Sequence, residues 1–195
     1  MKKKILRITE TAVLLALLVT LQWGLSALIP EPTTKQFVVG SAVNLILAVS
    51  VLVGGLWSGV FVALLSPLFA FLVGVIPGMQ LPILPAICLG NLVYVLGMHF
   101  LIRKPLRNKG LWNTTKSIGG LIITAAAKFA LLYFAVTKLI AALWTSNAGW
   151  NLAGVPPAMP APLIAAMSWP QLVTALIGGA LALVVAPLLW KALKR

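Results

Sequence analysis

The sequence predicts an all-α integral membrane protein: one domain spanning 1–195, folded as a bundle of six transmembrane helices with cytoplasmic N- and C-termini. Three observations predict it. The chain is 61% hydrophobic and only 9% charged, with a mean hydropathy of +1.07, more apolar surface than a soluble domain can hide. Its apolar stretches are each near the length needed to cross a bilayer. Its basic residues cluster in short segments between those stretches.

The spans follow in order. The first covers Ile5 to Ile29, too long a run for the core of a cleaved leader, and is read as a transmembrane helix. The second covers Gln36 to Val53 and the third Trp57 to Ile76. The fourth covers Leu81 to Ile102, the fifth Ser117 to Leu143 and the sixth Pro170 to Leu193. Helix breakers separate them at Pro30-Glu31-Pro32, Gly54-Gly55 and Pro77-Gly78. The basic stretch after Ile102 and the segment from Trp144 to Trp169 supply the other two breaks. Pro67 and Pro187 predict kinks within the third and sixth spans.

Orientation follows from lysine and arginine. Lys2, Lys3, Lys4 and Arg7 precede the first span. Arg103, Lys104, Arg107, Lys109 and Lys116 lie between the fourth and fifth, and Lys191, Lys194 and Arg195 end the chain. With six spans these segments share one side, and their positive charge makes that side cytoplasmic. A net charge of +13 placed this way serves topology and anionic-lipid contact rather than nucleic acid. On the opposite side the loop from Trp144 to Trp169 carries no charge. It is expected to fold back on the bundle, with Trp144, Trp150 and Trp169 as interfacial anchors.

The inventory argues against an enzyme. Glu10 and Glu31 are the only acids, so paired-carboxylate chemistry within the membrane is excluded. Cys88 and His99 are each alone, which excludes a disulfide and a metal cluster. No cofactor is expected. No Gly-x-x-x-x-Gly-Lys-Ser/Thr phosphate loop is present, so ATP-driven work needs partner subunits.

The first span carries Ala12, Ala16, Thr20 and Gly24 at four-residue spacing, one stripe of small side chains. Such stripes let helices approach closely, either within the bundle or against another subunit. Here a resemblance appears. Six spans, about 195 residues and cytoplasmic termini resemble the substrate-binding S component of energy-coupling factor (ECF) transporters. Ala12 and Ala16 match that family's Ala-x-x-x-Ala pattern. Gly55-Leu56-Trp57-Ser58-Gly59 is similar to its Gly-Pro-x-x-Gly turn, with leucine in place of proline. The resemblance implies a plasma-membrane subunit that binds a vitamin or similar nutrient from outside. It also implies docking through Ala12 and Ala16 on a transmembrane coupling (T) subunit, itself served by two ATPase subunits. The outer segment with Lys35 and Gln36 would then close over the ligand.

The site residues are read from chemistry. Lys128 lies twelve residues beyond Lys116, about 18 Å along a helix and about half the depth of a hydrocarbon core. A lysine at that depth is costly, and no acid in any span offers it an ion pair. It reads as an anchor for an anionic group, such as a carboxylate; the alternatives are a lysine that snorkels or bonds to backbone carbonyls, or a neutral one in contact with water. Asn91 and Tyr94 share a face of the fourth span and suit either a heterocycle or interhelical bonding; Asn44 has the same ambiguity. Gln80 precedes a proline-rich helix start, and Gln171 and Thr174 share a face of the sixth span with Trp169 at its outer end. Gln80, Asn91, Tyr94, Lys128, Trp169 and Gln171 would converge on one pocket if the last three spans are adjacent. A subunit of a membrane complex without its own ligand and a stand-alone secondary carrier are the alternative functions.

Overall fold

The computed structural model describes residues 2–76, 78–108, 110–142 and 159–193, and all regular structure among them is helical. Trp144 and Trp150 lie outside the described residues, as do Lys109, Lys194 and Arg195. Helix α1 runs Lys2–Leu28 and α2 runs Pro32–Val49, extended by a π-helical turn, Ser50–Gly54. Helix α3 is Leu56–Leu72. A short 3₁₀ segment, Gly78–Ile83, leads into α4, Leu84–Gly97, whose π-helical extension Met98–Ile102 meets the short α5, Arg103–Arg107. Helix α6 is Leu111–Phe134 with a π-helical end, Ala135–Ile140; α7 is Ala161–Ala166 and α8 is Trp169–Ala192.

Local chemistry sets the ends. The Glu31 carboxylate caps α2 by accepting the N–H groups of Thr33 and Thr34, and Pro32 occupies the first turn, where no donor is needed. Gly55 makes the turn into α3 at φ 99°, a backbone that side-chain-bearing residues rarely adopt. Helix α6 begins at Leu111, six residues before the Ser117 start expected from hydropathy. The polar residues there stay helical because Thr114, Thr115 and Ser117 return their hydroxyls to carbonyls four residues back.

Among the described residues five segments are long and apolar enough to cross a membrane: Ile5–Leu28, Pro32–Gly54, Gln80–Arg107, Leu111–Ile140 and Ala161–Ala192. The remaining long helix, α3, has 17 residues and is shorter than the expected third span, because the chain turns from Val73 to Ile76. Large apolar side chains lie exposed on every long helix, among them Val13, Leu68, Phe100, Ile122 and Val184, a surface that suits lipid rather than water.

The long helices close into a ring in the order α1, α2, α8, α6, α4, α3, each packed on the next and α3 returning to α1. The tightest contact is α2 on α8. A side chain at Gly178 would meet Ser41 O at 2.6 Å and Leu45 N at 2.7 Å, so only glycine lets the two backbones approach. The ring has two unlike ends. At one, Thr11 of α1 hydrogen-bonds Ser58 of α3 (2.9 Å), and Arg103 Nε and Trp190 Nε1 both donate to Leu52 O (3.2 Å each). Arg107 stacks 4.9 Å over the Trp190 ring. The described basic segments therefore gather at that end. The other end holds the α2 cap, the 3₁₀ segment and α7.

Candidate functional site

A cavity of about 810 Å³ enters the bundle from the end opposite the basic one. Lys128 of α6 lies in its wall, only 2% exposed. Its Nζ donates to Asn44 Oδ1 on α2 (2.6 Å) and to Asn91 Oδ1 on α4 (3.0 Å). It also sits 5.2 Å above the Tyr94 ring. Each amide is held in turn: Asn44 Nδ2 donates to Gly40 O (2.9 Å) and Thr174 Oγ1 (3.3 Å), and Asn91 Nδ2 to Ser66 Oγ (3.4 Å). Five helices thus position one amine. The amides are oriented with their oxygens toward the lysine and their N–H groups toward backbone or hydroxyl acceptors.

The electrostatics are one-sided. The partners of Lys128 are two neutral carbonyl oxygens and a ring face, none of them a carboxylate. An ammonium has three donors and these oxygens take two. The arrangement can therefore hold a cation in place and offer its remaining donor and its charge to a group in the cavity.

Of the residues singled out from sequence, Lys128, Asn91, Gln80, Gln171, Trp169, Lys35 and Gln36 all line this cavity. Helices α4, α6 and α8 are neighbours in the chain of contacts that brings them there. Tyr94 does not reach the cavity wall. It is fully buried beneath Lys128, and its hydroxyl donates to Ala175 O of α8 (3.0 Å), so its contribution is the floor on which the lysine rests. Gln171 and Gln36 turn out to share one acceptor: both donate to Ala166 O, at 3.2 and 2.6 Å. Phe37 and Trp169 meet above them with ring centroids 5.5 Å apart. These contacts pin the N-terminal ends of α2 and α8 to α7. The described part of the uncharged segment, from Met159 onward, does fold back: Leu163 and Met167 pack with Ile83, Leu132 and Val136.

Sequence reasoning placed Asn44 and Thr174 among polar residues of uncertain role and did not single out Ser66, Gln22 or Ser26. The signal for Asn44 is its isolation in an apolar helix; for Gln22 and Ser26 it is their spacing of four residues, which puts them on one face of α1. That stripe is exposed at Ala12, Ala16 and Thr20, and a methyl added at Gly24 would meet nothing within 4 Å.

An all-helical, multi-pass membrane protein with a small-molecule-sized cavity around a buried lysine is the class that the fold and the site define. The chain belongs to the family of substrate-specific components of ECF transporters, whose model matches residues 6–190. Members are transport-related membrane subunits, not enzymes, and membership implies a small-molecule substrate and association with ECF T and ATPase components. Comparisons with curated proteins and with solved structures gave no match.

Proposed function

We propose that this subunit captures a carboxylate-bearing vitamin or related micronutrient from outside the cell, in the cavity around Lys128, for ATP-driven uptake by its partners. The observation that carries the reading is Lys128 itself, a buried amine on a cavity wall whose protein partners are all uncharged. A ligand carboxylate compensates that charge better than water can, since the site is largely desolvated. Asn91, Gln80, Trp169 and Gln171 supply further contacts along the wall, with Tyr94 beneath.

The chain crosses the plasma membrane six times in this reading, α3 included. Its termini and basic end face the cytoplasm, in line with the positive-inside bias, and the cavity mouth faces outward. The segment with Lys35 and Gln36 gates the mouth, supported by the Gln36–Ala166 bond that ties it to α7. Ala12 and Ala16 dock on the T subunit, and two ATPases drive release inward.

The test is direct. Purified protein is expected to carry a small molecule that mass spectrometry identifies as a carboxylate, and Lys128→Met should lower its affinity by about 100-fold or more, the scale of losing a buried charge-assisted pair. Unchanged affinity in Lys128→Met removes the anchor from the site.

A further inference from the structure

The cavity has a second polar element that the Lys128 network does not use. Gln22 and Ser26, one turn apart on α1, both line it. Gln22 is 7% exposed, and among the described residues neither its Oε1 nor the Ser26 Oγ has a hydrogen-bond partner, although both atoms are buried. Elsewhere on the inward side of α1, Leu14, Leu15, Leu18 and Leu21 pack into the core, and the polar Thr11 is satisfied by Ser58. No described residue hydrogen-bonds the Gln22 Oε1, so a leucine at this position would break no bond at that atom. A buried amide and hydroxyl without partners carry a desolvation cost that nothing in the protein offsets. The last torsion of a glutamine side chain is soft, so its amide can turn toward the cavity at little cost.

We infer that Gln22 and Ser26 form a second subsite, which takes an uncharged group presenting both N–H and C=O (an amide, ureide or lactam). The same ligand places its carboxylate at Lys128, so the inference rests on the capture function proposed above. The match is one of donors and acceptors. The Gln22 amide accepts through Oε1 and donates through Nε2, the complement of an N–H/C=O edge, and the Ser26 hydroxyl serves either way. Neither residue bears a charge, so this end of the site selects a neutral group, while Lys128 selects an anion. Without the N–H/C=O edge the buried Oε1 and Oγ stay unpaired in the complex, which is how such a site discriminates against an analogue lacking it.

The full-length purified protein is titrated calorimetrically with four carboxylates. Biotin and pantothenate carry a ureide and an amide; lipoate and octanoate carry no N–H/C=O edge. Wild type should bind at least one of the first pair about tenfold or more tighter than either of the second. Gln22→Leu should cost that ligand about tenfold and Ser26→Ala about threefold, the range for a hydrogen bond to a neutral group, with lipoate and octanoate unaffected. The ligand-free unfolding temperature of Gln22→Leu should equal or exceed that of wild type, since no bond is lost, which separates weakened binding from misfolding. Failure of all four to bind, equal affinity for both pairs, or unchanged affinity in Gln22→Leu overturns the subsite and leaves water as the occupant of that wall. Lys128→Met distinguishes the two readings. If it weakens carboxylate binding while Gln22→Leu does not, the capture site stands and the subsite falls; if it changes nothing, the capture site falls as well.

Discussion

At the scale of single residues, Lys128 and its two asparagines behave as one unit. Nζ bonds Asn44 and Asn91, and each asparagine is anchored to a further helix. Removing one partner of a buried charge costs more than removing the charge as well, because the survivor stays desolvated. Asn44→Leu should therefore destabilise the ligand-free protein by about 2–4 kcal/mol. Adding Lys128→Met to it should restore about 1–3 kcal/mol, a non-additivity that a double-mutant cycle of denaturant unfolding in detergent measures. Additive losses would mean that the network is three separate contacts. Lys128 and Asn91 were legible in the sequence because a lysine at mid-depth and a lone amide in an apolar run break a pattern. Their pairing with Asn44, 84 and 47 positions from them, was not, because it depends on which helices adjoin. The position of Tyr94 depends on the same adjacency: it shares a helix face with Asn91, and its hydroxyl is engaged by Ala175 O of α8.

Among the elements, the start of α2 has its own pH behaviour. The Glu31 pKa is lowered to about 2, chiefly by the Thr34 hydroxyl and then by the backbone N–H groups of Thr34 and Thr33. A depressed carboxylate contributes stability that is fully present above its ordinary value of 4.5 and is lost as pH falls through about 2. Protection of the Thr33 and Thr34 amides, corrected for intrinsic exchange, should stay level from pH 7 to about 4.5 and fall below that. In Glu31→Gln protection should be lower and free of this pH dependence. A wild-type loss centred near neutral pH would contradict the cap. Because the next residues are Lys35 and Gln36, the cap also sets where the cavity mouth begins. Helix existence was legible throughout from apolar length, with the Gly55 turn and the Pro32 start among the breakers. The early start of α6 was not, since threonine and serine next to lysine read as loop until their hydroxyls are seen bonded inside the helix.

For the whole molecule, the decisive asymmetry is in α1. It is the least buried of the five long apolar segments, whereas α2 beside it is the most buried. Leu18 and Gln22 face inward, and Ala12, Ala16 and Thr20 lie exposed on roughly the opposite side at 100° per residue. Among the described residues the closed ring of helices leaves that small-residue stripe without a partner, so packing between these helices does not account for it. A flat outer face suits another helix more than lipid, because close backbone approach is what small residues allow. Ala12→Trp and Ala16→Trp should therefore abolish co-purification with the T and ATPase components, since an indole on the stripe holds the partner helix off. Ligand affinity of the isolated subunit should stay within about twofold of wild type, because both substitutions point away from the cavity and the core. An intact complex in both variants would sink the docking assignment. Loss of ligand binding together with loss of the complex would instead mean that the stripe supports the fold. If the two functions separate as expected, α1 presents one face to the nutrient and the other to the machinery that moves it.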